Sequence, residues 1–181
     1  MKVLWLCNVM LPVVAGEFGT EATNKEGWIS GLADIVMAKS RENNIELAVA
    51  SPAPLEVLGT EKKNCSVTVV TPKGSLIYYG FWENVNTPEN YDRELEERLI
   101  RIVEDFAPDL VHCFGTEYPH TLAMCRVFPD KTRLLVGIQG LCAVYANTYF
   151  ASLPYEVVHS ITFRDILKKD SIIQQQKKFV K

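Results

Sequence analysis

Pro108-Asp109-Leu110-Val111-His112-Cys113-Phe114-Gly115-Thr116-Glu117-Tyr118-Pro119-His120 is the stretch from which the fold is read. A helix-period segment ends at Phe106, and Pro108 stops it, because proline has no N–H to donate and its ring crowds the preceding turn. Leu110 to Phe114 is then a short apolar run without alternation. That is the pattern of a strand covered on both faces of a parallel sheet. Gly115 and Thr116 supply the turn, and Glu117 to Val127 reads as the next helix, with Leu122, Ala123 and Val127 on one side. Ligands of open α/β sheets bind beyond the carboxyl ends of the strands. His112, Thr116, Glu117 and His120 are therefore candidate site residues. For any single strand–turn–helix the simpler alternative is a buried histidine beside ordinary capping residues.

Upstream, Val3 to Cys7 predicts the first strand, ended by Leu11-Pro12. Val13 to Glu26 reads as a polar loop carrying Gly16 and Gly19. It is longer than the roughly 2–6 residues usual between strand and helix, and loops of that length tend to be functional or mobile. A helix follows from Asn24 or Lys25 to Glu42, with Trp28, Leu32, Ile35 and Val36 at helical spacing. Glu46 to Ala50 is the second strand, stopped by Ser51-Pro52. Ser66–Thr71 and Ser75–Phe81, joined by Pro72-Lys73-Gly74, have hairpin spacing. Tyr91, Leu95, Leu99, Ile102, Val103 and Phe106 mark an amphipathic helix. Downstream, Arg133 to Ile138 is another buried strand, ending at Gln139-Gly140-Leu141. Tyr145 to Tyr155 fits no element, and a basic helix is expected from Thr162 to Lys181. Strands alternating with helices imply one α/β domain over residues 1–181, with a doubly wound, mostly parallel, Rossmann-like sheet that includes a β-hairpin.

With 181 residues, a net charge of −3 and 48% hydrophobic residues, the chain can bury a core without covalent staples. No basic excess points to nucleic acid. Cys7, Cys65, Cys113, Cys125 and Cys142 are scattered, with no CxxC pair or zinc-type spacing. Cys7, Cys113 and Cys142 sit in or beside apolar runs and read as reduced core residues rather than a disulfide frame. Met1-Lys2 leads straight into a strand, too early for a signal peptide, and no apolar stretch is long enough to span a bilayer. A cytoplasmic protein is expected. The carboxy-terminal helix interleaves Arg164, Lys168, Lys169, Lys177, Lys178 and Lys181 with Ile166, Leu167, Ile172, Ile173, Phe179 and Val180. Such a pattern either rests peripherally on the inner face of a membrane or packs on its own domain or a neighbour.

No Walker loop, GxGxxG or nucleophile elbow is present. Gly27 opens the first long helix, where free N–H groups can meet a phosphate. Thr23 and Glu26 next to it also have capping-box spacing, which gives the glycine a purely structural alternative. Glu96 and Glu104 lie on a charged helix face and read as solvated. Tyr145, Tyr149, Phe150 and Tyr155 suit either a sugar pocket or a core.

Taken together, MKVLWLCNVMLP, EGWISGLADIVMA, APDLVHCFGTEYPHTLAM and LLVGIQGL, in that order, resemble the amino-terminal half of family-four GT-B glycosyltransferases. The resemblance covers nearly the whole chain. It implies one Rossmann-like half of a two-domain GT-B fold, binding the acceptor, with the carboxy-terminal donor-binding domain absent from this chain. The implied reaction is retaining transfer from a nucleotide sugar to a glycan or lipid-linked acceptor, with no metal or other cofactor. Positions carried over are Gly27 near the donor diphosphate and His112, Thr116, Glu117 and His120 at the cleft. Gln139 falls where many members have a histidine before a glycine, near the reacting sugar. The resemblance implies catalytic roles for Gln139 and His120 and donor binding for Gly27, Thr116 and Glu117. Glu26 replaces a second glycine common in that family, and its charge opposes a diphosphate. A sugar-nucleotide epimerase half and a non-catalytic Rossmann-like binding module are the alternatives.

Overall fold

A computed structural model describes residues 1–21, 27–169 and 171–180. In chain order the elements are β1 (Lys2–Leu6), α1 (Pro12–Phe18), α2 (Gly27–Asn43), β2 (Glu46–Pro52), α3 (Leu55–Leu58), β3 (Cys65–Thr71), β4 (Gly74–Phe81) and α4 (Glu94–Phe106). They continue with β5 (Leu110–Phe114), α5 (Pro119–Val127), a 3₁₀ turn at Lys131–Arg133, β6 (Leu134–Gly137), α6 (Cys142–Thr148), α7 (Tyr155–Val158), α8 (Phe163–Lys168) and α9 (Ile172–Val180).

The six strands form one sheet in the order β3-β4-β2-β1-β5-β6. Every neighbouring pair is parallel except the β3–β4 hairpin, which pairs Thr71 with Gly74 at its tip and Cys65 with Gly80 at its base. The fold is α/β and doubly wound, as the alternating pattern implies. β1 lies between β2 and β5, with Trp5 opposite both Val49 and His112. The chain leaves β1 towards β2 on one side and β5 towards β6 on the other. The gap between the carboxyl ends of β1 and β5 is thus the switch point where such sheets hold ligands.

Two apolar layers clamp the sheet. Leu4, Leu6, Val111 and Cys113 face α4 and α5, meeting Leu95, Leu99, Ile102, Phe106 and Met124. Val3, Trp5, Val49 and Phe114 face α1 and α2, meeting Leu11, Val14, Ile29, Ala33 and Met37. The strongly amphipathic α4 carries Glu94, Glu96 and Glu97 in its first turn, where acids complement the helix dipole. It stops at Ala107, which takes a left-handed φ of 50° just before Pro108.

Several expectations are corrected. The segment expected as a loop from Val13 begins with a helix, α1, in which Pro12 sits in the first turn and Gly19, at φ 64°, caps the end. Proline at that position costs no helical hydrogen bond, so it starts a helix here rather than only ending a strand. Residues 22–26, including Thr23 and Glu26 of the possible capping box, lie outside the described residues. In α2 the buried stripe is Ile29, Ala33 and Met37, whereas Trp28 and Ile35 are more than half exposed. Tyr145–Tyr155, whose sequence fits no single element, contains most of α6, a turn and the start of α7. The single basic helix expected from Thr162 is two helices. Thr162 and Asp165 form a capping box for α8, Lys169 ends it at φ 50°, and Ser171 and Gln174 exchange hydrogen bonds that start α9.

Cys65, Cys113 and Cys125 are reduced thiols. Burial pushes the Cys113 thiol up to about 12, which makes it a packing residue rather than a nucleophile. Among the described residues no helix is long and apolar enough to cross a membrane.

Candidate functional site

Four side chains meet at the switch point, each brought there by a different piece of backbone. Asn8 follows β1 by two residues and Glu83 follows β4 by two. Glu117 sits in the turn after β5, and His120 is the second residue of α5. Parallel strands deliver their carboxyl ends to one edge of the sheet, so residues distant in the chain converge there without any local motif.

Gly115 makes the turn out of β5 possible. Its φ is +101°, and a Cβ there would run into the Glu117 carboxylate and come within 2.6 Å of Asn8 Nδ2. Its N–H donates to the Gly137 carbonyl at 2.8 Å, and its carbonyl accepts from Thr121 Oγ1 at 2.8 Å. The turn is therefore tied to both β6 and α5. Tyr118, the residue before α5, makes no side-chain cap. Glu83 caps the helix instead, from the segment after β4. Its Oε1 accepts the His120 backbone N–H at 3.1 Å, and its Oε2 lies 2.6 Å from His120 Nδ1. A carboxylate at a helix amino terminus is favoured both by the free N–H and by the helix dipole.

The line of contacts continues outward. His120 Nε2 is 3.1 Å from Asn8 Oδ1, and Asn8 Nδ2 donates to Glu117 Oε2 at 3.2 Å. Donor and acceptor counting orders the protons. The amide group of Asn8 faces a carboxylate, so its carbonyl faces His120, and Nε2 must carry a hydrogen. Nδ1 then shares a further proton with the buried Glu83 carboxyl. Phe81 meets the imidazole edge-on and Tyr118 stacks parallel to it, each with ring centroids 5.8 Å apart. His120 is wholly buried, whereas Glu117 is half-buried and Thr116 exposed. The line thus runs from a sealed acid to an accessible one.

The structure brings several expected site residues together and leaves others apart. Glu117 and His120 belong to the line of contacts. Thr116 donates to the Gly140 carbonyl at 3.4 Å. Gln139, exposed, lies on the same rim next to Gly140. A Cβ on Gly140 would sit 3.0 Å from Glu117 Oε1 and 3.2 Å from Tyr145, so Tyr145 adjoins the rim. Tyr149 and Tyr155 are engaged elsewhere, with Gln175 and His159. Gly27 opens α2 in open space, and its neighbour Trp28 reaches Phe114 at the end of β5 with ring centroids 5.6 Å apart. His112 faces the α2 side, tilted on Phe114 at 3.9 Å, and burial lowers its imidazole pKa. It does not join the line of contacts. Glu96 accepts from Tyr91 and Arg126 and fastens α4 to α5, remote from the site.

Asn8 and Glu83 were not anticipated, because a single polar residue after a strand belongs to no motif. The available signal was position: each lies two residues past an apolar strand. Both also line a cavity of about 440 Å³ beyond β1, β2 and β4, with Trp82, Asn84, Asn86 and Glu56. Lys62 Nζ covers the Trp82 ring at 4.5 Å. Amides, acids and an indole offer both donors and acceptors to a hydroxyl-rich ligand. Among the described residues, no three of His, Cys, Asp and Glu are grouped so as to hold a metal ion. No protein-family profile, curated protein or solved structure matches the chain.

Proposed function

We propose that this chain is the acceptor-side domain of a retaining, nucleotide-sugar-dependent glycosyltransferase of the GT-B kind, with Glu117 as the group that meets the acceptor. The observation that carries the reading is the hydrogen-bonded line from Glu83 through His120 and Asn8 to Glu117 at the switch point. It holds one accessible carboxylate in a fixed orientation beside a polar cavity, and sugar hydroxyls are natural donors to such an oxygen. His120, being sealed in, acts as a positioning residue. Gln139 on the rim offers its amide to the sugar without exchanging a proton. In the implied reaction the bond from the sugar's anomeric carbon to the donor diphosphate breaks, and a bond to the acceptor oxygen forms. The departing diphosphate takes the acceptor's proton. Thr116 and the first turn of α2 at Gly27 face the donor side in this reading.

Isotope-labelled protein titrated with a panel of mono- and disaccharides tests it. Saturable shifts are expected at the amides of Asn8, Thr116, Glu117 and Gly140, with binding about tenfold weaker in Asn8→Ala, the worth of about one buried hydrogen bond. Alone, without a second wall to orient the donor, the chain should not turn over nucleotide sugars, since positioning supplies roughly 7–11 kcal/mol of such barriers. A panel that leaves those amides unmoved, or steady multiple turnover by the chain alone, overturns the reading.

A further inference from the structure

The carboxy-terminal helices carry a charge and an apolar surface that the cleft does not use. Between Ile161 and Lys181 there are six Lys or Arg and two Asp, although the whole chain has a net charge of −3. The preceding residues therefore carry −7, and the positive charge is concentrated at one end. α9 is fastened to the body. Gln175 accepts from the Tyr149 hydroxyl at 2.6 Å, and Gln176 donates to the Ala146 carbonyl at 2.9 Å. α8, just before it, presents its apolar side to solvent: Phe163 is 76% exposed, Leu167 69% and Ile166 64%, and Ile161 ahead of the helix is 67% exposed.

Phe163, Ile166 and Leu167 have the i, i+3, i+4 spacing of one helical stripe. Arg164, Lys168 and Lys169 stand on the same six-residue helix or at its end and are also exposed. The one acid on it, Asp165, accepts from the Thr162 backbone N–H and hydroxyl as half of the capping box. Bulky apolar groups ringed by long cationic side chains, with the local acid occupied, complement a layer that is apolar inside and negative at its surface. The cationic stems can lie along the apolar boundary with their heads at the phosphates.

We infer that α8 is a docking surface for an anionic lipid membrane. Phe163, Ile166 and Leu167 enter the headgroup boundary, while Arg164, Lys168 and Lys169 engage lipid phosphates. The inference holds whatever the cleft binds, since no residue of the line from Glu83 to Glu117 takes part.

Co-sedimentation of the full chain with vesicles tests it, comparing pure phosphatidylcholine with an equal mixture of phosphatidylcholine and phosphatidylglycerol. Binding is expected to the mixed vesicles alone, and to weaken with salt. Lys168→Gln with Lys169→Gln should weaken it about 30-fold, from roughly 1 kcal/mol per surface charge. Phe163→Ser with Leu167→Ser should abolish it while circular dichroism and the unfolding midpoint stay unchanged, because both side chains are exposed. Failure to bind mixed vesicles, or equal binding to both vesicle types, overturns the inference. So does a concentration-dependent dimer that Phe163→Ser with Leu167→Ser disperses, which would assign the stripe to a second copy.

Discussion

Replacing Glu83 by alanine should destabilise the protein far more than replacing it by glutamine. The carboxylate is buried, and its two oxygens serve the backbone N–H of His120 at 3.1 Å and the Nδ1 of the same residue at 2.6 Å. Alanine leaves both without an acceptor in a sealed position, and breaking a buried pair from one side costs about 3–5 kcal/mol. For a chain of this length each kcal/mol corresponds to about 2–4 °C, so the melting temperature should fall by roughly 6–20 °C. Glutamine keeps the shape and the oxygen that accepts the backbone N–H. Its amide can donate to Nδ1 while Nε2–H still points at Asn8. Only the charge-assisted part of the contact is lost, about 1 kcal/mol. Urea unfolding followed by tryptophan fluorescence, at constant slope, measures both. If alanine stays within about 0.5 kcal/mol of the parent, or glutamine is as damaging as alanine, the pair is not what holds the start of α5.

Two further outcomes follow from the same geometry. Gly115→Ala should cost about 1–3 kcal/mol, because φ +101° suits only glycine and the added methyl would strike Glu117 and crowd Asn8; an unchanged urea midpoint would contradict the turn as described. Burial lowers the pKa of His112 from its ordinary 6.5, so the unfolded chain takes up that proton first as pH drops. Stability contributed by the neutral ring is complete above about 6.5 and is lost as pH falls through the lower folded value. His112→Gln should flatten that part of the stability–pH curve, and an identical curve for both proteins would show that another group titrates there.

The sheet was largely legible because its inner strands β1, β2 and β5 are buried on both faces; β6, expected as another buried strand over Arg133–Ile138, is instead a half-exposed edge strand. Leu110–Phe114 and Glu46–Ala50 are apolar runs that need no partner to be recognised, and the Pro72-Lys73-Gly74 turn marks the hairpin. α1 was not legible. Pro12 and Gly16 are loop signals locally, and the helix exists because Leu11, Val14 and Ala15 bury against the sheet. In α2 apolar residues occur on more than one side, so periodicity alone chose Trp28 and Ile35 where packing chose Ile29, Ala33 and Met37. The site was half visible. Glu117 and His120 stand on the strand–turn–helix that any reading inspects, whereas Asn8 and Glu83 acquire meaning only when the sheet sets β1 and β4 near α5.

The placement of β1 also bears on how the chain comes to be folded. β1 sits at the middle of the sheet, yet one of its two neighbours is β5, with Val3 opposite Leu110. Lys2 exchanges hydrogen bonds with Asp109, and Asn8 bonds to a glutamate 109 residues further on. Parallel pairing over such separations has a high contact order and is slow to form. As the nascent chain is extended, β1 can pair with β2 early but keeps one apolar edge open until β5 has been synthesised. For most of that interval Val3, Leu4, Trp5 and Leu6 present one unpaired strand edge to other chains. The window of aggregation risk during synthesis is therefore set by the central strand, and it closes in the same step that completes the site.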